Sequence, residues 1–362
     1  MSDDNAIRRL WDTIKGWATQ NASHYIYARI PDDRTDLPGS GTALKPQSSY
    51  FRLWLCQMYL TKSRNWFRDW HPAVHASVRL RFGEYNQLEL SSVARPPEDA
   101  LGKGVYLNYR LTELLPFNGG VVEIEAALLA LQGADYLGSA IKVLQDFSGL
   151  LVAPLGQIVN VADKVSNGLR DMVGATNGQV HLGLHETLTS EGGGGANVLR
   201  PGYLAVILAT PRDIDPQGLY VRGDRLFYAR TPGATPTPLE GYDYMLVRIE
   251  GRTERDDWRL KNIEEPLNKA AEALLKGETE SAKAYKSAAL VAAYQSPDLA
   301  VADKRRVIQA IKDELSALES SALGATGNEP IDFASIMAIE AQNTSIEEAA
   351  AKGELSLEEA LS

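Results

Sequence analysis

Two pairs of histidines share a spacing of four: His71-Pro-Ala-Val-His75 and His181-Leu-Gly-Leu-His185, the second followed directly by Glu186. On a helix that spacing would bring two imidazoles to one metal ion. In a strand the same residues share a face but stand roughly 13 Å apart, beyond the reach of a single ion. Both pairs lie in strand-like sequence, and Pro72 opposes a helix in the first. Neither pair is therefore assigned a metal. A site built across strands, with one histidine from each pair, needs a strand pairing that spacing alone does not supply.

The single cysteine, Cys56, would act as a nucleophile only with a base or a positive field beside it. It lies in Leu53-Trp54-Leu55-Cys56-Gln57-Met58, an apolar run without the small-residue turn that exposes a nucleophile, so a buried, inert thiol is expected. One cysteine also excludes an intrachain disulfide and a cysteine cluster, as suits a reducing compartment. The chain has no Gly-x-Ser-x-Gly elbow, Walker loop, dinucleotide fingerprint or His-Glu-x-x-His. No catalytic residue, metal or cofactor is assigned. The glycines Gly192 to Gly195 would cradle a phosphate if a helix followed; Pro201-Gly202 and a strand follow instead, so a loop is expected. Arg222-Gly223-Asp224 matches the integrin-binding tripeptide but reads as the turn between two short strands.

The elements that must position these residues are mostly strands. Tyr50 to Thr61, Val74 to Phe82, Leu88 to Val93, Val105 to Leu115 and Val121 to Leu129 are apolar runs or alternate with a period of two. The same holds for Gln179 to Leu188, Tyr203 to Thr210, Leu219 to Val221, Arg225 to Ala229 and Tyr242 to Arg252. Asn118-Gly119-Gly120 predicts a hairpin joining Val105–Leu115 to Val121–Leu129. Residues 31 to 48, rich in Pro, Gly and Asp, predict a loop. Helices are predicted at 4 to 20, 262 to 276, 279 to 294 and 297 to 320, the last with Ser296 as N-cap and Pro297 at its first position. A heptad-like stripe from Leu137 to Met172 predicts a helical insert at 136 to 174, kinked or split at Pro154.

Short strands with local connections favour an α+β fold: an antiparallel sandwich-like domain over 50 to 257 carrying the insert, followed by a C-terminal helical bundle over 258 to 324. Residues 1 to 49 form an N-terminal amphipathic helix and loop. Residues 325 to 362 form a flexible acidic tail with eight acids against Lys352, which supplies -7 of the formal net charge of -10. The remaining body, with 36 basic and 39 acidic residues, is near neutral and offers no field for duplex nucleic acid.

Two further segments bear on partners. Phe333, Ile336, Met337 and Ile339 form the apolar group of the tail, where a protein partner would dock. Trp66, Phe67, Arg68 and Trp70 crowd aromatic and basic side chains into one short stretch, as membrane-interface loops do. The stretch Phe147 to Ala162 carries no charge but is shorter than the ~20 residues that span a bilayer. The acidic N-terminus lacks the basic start and apolar run of a secretory signal, so a cytoplasmic location is expected. The sequence as a whole predicts a non-catalytic interaction or adaptor protein within a multi-protein system. The alternatives are conditional membrane or lipid binding through Trp66 to Trp70 and the 147 to 162 segment, and a hydrolase without a readable motif.

Overall fold

A computed structural model describes residues 24–59, 61, 71–82, 86–94, 105–131, 179–191 and 197–324. The helix expected at 4 to 20, the Trp66 to Trp70 loop, the insert at 136 to 174, the glycine run and the tail with Phe333, Ile336, Met337 and Ile339 lie outside the described residues. The fold is α+β, with antiparallel sheets and three helices. Contacts divide the chain into two units. One comprises the described residues up to Lys45, Phe51–Leu115 and Gly119–Gly251; the other comprises Pro46–Tyr50, Pro116–Asn118 and the described residues from Arg252 on.

Thirteen strands are described: β1 (Ile26–Arg29), β2 (Ser49–Tyr59), β3 (His71–Phe82), β4 (Asn86–Ala94), β5 (Val105–Arg110), β6 (Leu115–Phe117), β7 (Val121–Leu131), β8 (Gln179–Thr189), β9 (Gly202–Ile207), β10 (Leu219–Arg222), β11 (Arg225–Tyr228), β12 (Thr237–Pro238) and β13 (Tyr244–Arg252). The first sheet runs β1-β9-β13-β2-β5, with β6 also on β2. Its interior strands β9 and β13 read as near-continuous apolar runs because both of their faces are covered; Tyr203 to Ile207 and Tyr244 to Val247 are buried without a break. The second sheet runs β4-β3-β7-β8, and the third is the small β10-β11-β12 sheet.

The predicted hairpin across Asn118-Gly119-Gly120 does not form. Gly119 and Gly120 do take φ of +93° and +80°, as a sharp turn requires, but β5 pairs with β2 whereas β7 lies between β3 and β8. The glycines send the chain to another sheet. The Arg222-Gly223-Asp224 turn is as expected: Arg222 pairs with Arg225, and Gly223 and Asp224 both have positive φ, the geometry of a two-residue hairpin turn. One face of the first sheet contributes Ile26, Ala28, Tyr203, Ala205, Ile207, Tyr244 and Leu246 to a core shared with Leu219, Val221 and Leu226 of the small sheet.

In the other unit, α1 (Lys261–Leu275), α2 (Thr279–Gln295) and α3 (Val301–Gly324) share one apolar cluster that includes Leu267, Leu290, Ile311 and Leu315. Gly277 stops α1 with φ of +73°, while Glu278 N donates to Ala273 O and Gly277 N to Leu274 O, which satisfies the last carbonyls. The third helix starts at Val301, four residues later than Ser296 and Pro297 imply. Ser296 Oγ accepts from Asp298 N and so caps a turn; Ala300 N donates to the Tyr50 hydroxyl instead of entering a helix. Among the described residues, no helix is long and apolar enough to cross a membrane.

Candidate functional site

Strand β8 carries three of the side chains that spacing had singled out. His185 and Glu186 lie on opposite faces, while a bulge between Val180 and Leu182 breaks the alternation at His181. His181 Nε2 lies 2.9 Å from Asp243 Oδ2, and the Tyr25 hydroxyl donates to the His181 carbonyl at 3.0 Å. Asp243 Oδ1 accepts from Thr61 N at 2.6 Å and Thr61 Oγ1 at 2.8 Å. Burial pushes the Asp243 carboxyl up, but the bonds from His181 and Thr61 outweigh it and hold the group below the usual aspartate value. His185 Nδ1 meets Glu125 Oε1 at 3.0 Å, and Glu125 stands opposite it on β7. Each of these two imidazoles thus has its own carboxylate. Among the described residues, no group of three or more His, Cys, Asp or Glu could hold a metal ion. His71 and His75 lie within β3, where a spacing of four separates them along one strand.

Cys56 is fully buried on β2. Burial pushes its thiol well up, and the Asp224 carboxylate 3.5 Å away pushes it further, so the thiolate is disfavoured. Asp224 is the hub of an internal network: its Oδ1 accepts from the Tyr203 hydroxyl at 2.6 Å, and Arg248 Nη1 reaches Oδ1 at 2.6 Å and Oδ2 at 2.5 Å, while Arg248 Nε is buried without a partner. The aspartate of the adhesion-like tripeptide is therefore directed into the protein. Arg248 and Arg52 both stack on Trp54, at 5.1 and 4.8 Å from its ring centroid, and Arg52 forks onto Glu250 at 3.0 and 3.1 Å.

Glu186 builds a different arrangement. Its neighbours on the same face, Leu182, Leu184 and Leu188, are buried, and so is Glu186 itself. Both of its carboxylate oxygens accept from neutral donors, Oε2 from the Tyr27 hydroxyl and Oε1 from Asn197 Nδ2. Tyr27 and Arg29 project from the same face of β1, opposite Ile26 and Ala28. Beside Glu186 lies a cavity of about 180 Å³ lined by Tyr27, Arg29, Glu186, Asn197, Val198, Arg200 and Leu204. Burial, and then the positive charge of Arg200, pull the Arg29 guanidinium below its ordinary value. Burial and the Glu186 carboxylate likewise push the Tyr27 hydroxyl up, so it stays a protonated donor.

Arg29 Nη2 donates to the carbonyls of Arg200 and Pro201 at 2.9 and 3.2 Å, whereas Arg29 Nε is buried without a hydrogen-bond partner. Its guanidinium crosses Gly202, where a Cβ would stand 2.9 Å from Nη2. Arg200 Nη1 lies 3.3 Å from Asp32 Oδ2. The cavity thus holds two guanidiniums and one carboxylate, with Arg29 in no ion pair among the described residues. No family model, curated protein or solved structure matches this chain.

Sequence reasoning reached Glu186 only as the residue after His185 and missed Tyr27, Arg29 and Arg200. One signal was available. A glutamate at an inward position of an otherwise leucine-lined strand face needs donors to satisfy it, and therefore marks a polar site inside a core.

Proposed function

We propose that this chain is a non-catalytic, cytoplasmic interaction protein, an adaptor within a multi-protein assembly whose docking element is the acidic segment 325 to 362. The observation that carries this reading is how the reactive side chains are used. Cys56, His181 and His185 each end in an internal pair with a carboxylate distant in the chain: Cys56 with Asp224, His181 with Asp243, His185 with Glu125. Groups held this way stabilise a scaffold. The excess negative charge lies beyond that scaffold, in a segment with eight acids and the apolar group Phe333, Ile336, Met337 and Ile339.

We also propose that the two larger sheets stack as a sandwich and that α1, α2 and α3 form a bundle. In support, the Tyr25–His181, Tyr27–Glu186 and His181–Asp243 bonds link the first sheet and its flanking residues to β8, and the three helices share one apolar cluster.

The test is cross-linking in the native host followed by mass spectrometry. It compares the full chain with a variant in which Phe333, Ile336, Met337 and Ile339 are all alanine, and with one ending at residue 324. A stoichiometric partner present with the full chain and lost from both others is expected. A partner retained by all three overturns the tail as the docking element.

A further inference from the structure

We propose that the cavity between β1, β8 and the 197–204 segment binds a free α-amino acid with a short apolar side chain, its carboxylate on Arg29 and Arg200 and its ammonium on Glu186. This goes beyond the adaptor reading and rests on other residues.

Charge comes first. Arg29 and Arg200 are balanced by Glu186 and by Asp32, which Arg200 approaches at 3.3 Å, so the site is neutral as a whole. A net anion would meet Glu186, and a net cation would meet two guanidiniums. A zwitterion presents opposite charges to opposite walls.

Second, the charges are kept apart. Glu186 is satisfied by a hydroxyl and an amide, not by a guanidinium, and both donors are neutral. A carboxylate has about four lone-pair sites, so two remain for an ammonium. Arg29 spends Nη2 on backbone carbonyls, and its Nε is enclosed by the protein. Its Nη1 makes no hydrogen bond among the described residues, and a ligand carboxylate would be the acceptor there.

Third, size and lining restrict the side chain. The volume of about 180 Å³ is below the ~300 Å³ where drug-sized pockets begin. The apolar wall is Val198 and Leu204, which suits a short aliphatic group, with Tyr27 and Asn197 turned to Glu186.

Isothermal titration of the full chain with L-valine, isovalerate and isobutylamine tests the assignment, because the last two each lack one charged group. Saturable L-valine binding at least about tenfold tighter than either analogue is expected. Arg29→Gln should weaken L-valine at least about tenfold, and Glu186→Gln should reduce L-valine towards the level of isovalerate. Val198→Phe fills the cavity while keeping all three charged groups; it should abolish saturation and remains informative if the charge variants unfold. Thermal unfolding of each variant reports its folding. Absence of saturable L-valine binding at millimolar concentrations, equal affinity for all three compounds, or unchanged binding in Val198→Phe would overturn the proposal. None of these results would bear on the tail's partner.

Discussion

Asp224 and Glu186 sit among the same residue types, a tyrosine and an arginine, in the same unit, and they end differently. At Asp224 the carboxylate and the guanidinium of Arg248 meet at 2.5 and 2.6 Å, and the Tyr203 hydroxyl adds a further bond. At Glu186 the tyrosine bonds the carboxylate, but an asparagine takes the place the arginine would have, and Arg29 turns to two carbonyls. The first arrangement pairs its charges directly, although Arg248 Nε, like Arg29 Nε, is buried without a hydrogen-bond partner. The second leaves a cavity between opposite charges. Similar side chains therefore make a strut in one place and a receptor in the other, and the deciding factor is whether the charges are allowed to touch.

The helical unit contains a third member of this set, and it predicts the largest effect. Asp303 is buried and accepts from the Tyr50 hydroxyl at 2.7 Å, Arg306 Nε at 2.5 Å and Arg255 N at 3.1 Å. Asp303→Ala leaves Arg306 with the Arg255 carbonyl and the distant Glu254, 3.9 Å away, and removes the acceptor of the buried Tyr50 hydroxyl. A loss of about 3–5 kcal/mol is expected, read from urea unfolding. Asp224→Asn comes next, at about 2–4 kcal/mol, because Arg248 keeps some access to water that offsets the broken pair. Cys56 should remain unreactive to iodoacetamide until that variant unfolds, since burial, the larger cause of its raised thiol value, is unchanged. Rapid alkylation in the native state would mean that Asp224, not burial, guards the thiol.

Much of this strand framework was legible from period-two alternation and apolar runs. Ten predicted strand segments overlap observed ones, and the turn at Arg222-Gly223-Asp224 has the expected geometry. Pairing was less legible. Gly119 and Gly120 announce a sharp turn, but a positive φ does not say which sheet the next strand joins. Strand β1 escaped because four residues ending near Pro31 are too short for alternation to register. Pro297 suggested a helix start, yet the burial of Asp298 and the bond from Ala300 N to Tyr50 override that local preference. The cavity was illegible for a different reason. Tyr27 and Glu186 lie 159 residues apart, and Arg29 and Arg200 lie 171 apart, so no spacing rule connects them. Only an acid on a leucine-lined face hinted at it.

A smaller effect separates closed pairs from hydrogen-bonded ones by pH. Asp243 titrates below its ordinary 3.8 when folded, so its contribution is complete above that value and disappears as pH falls through the lower, folded value. Asp243→Asn should therefore cost about 1–2 kcal/mol at neutral pH. The gap between the parent and the variant should narrow only below 3.8. Urea midpoints at a series of pH values measure that gap, and a gap that stayed constant into acid would show that Asp243 stabilises by shape alone.

The smallest expected change sharpens the comparison most. Arg248→Gln strands the Asp224 carboxylate with only Tyr203 and the Cys56 thiol, so its cost should approach that of Asp224→Asn. Arg29→Gln strands no carboxylate, because Glu186 keeps Tyr27 and Asn197. It removes a buried Nε without a partner and relieves repulsion from Arg200, which offsets the lost bonds to two carbonyls. Its effect on unfolding in the absence of ligand should lie within about 1 kcal/mol of zero. Equal losses from the two arginine variants would mean that Arg29 is as much a strut as Arg248, and that the site is closed by a route other than direct ion pairing. A near-zero value beside a large one is the signature of a charge kept for something other than stability.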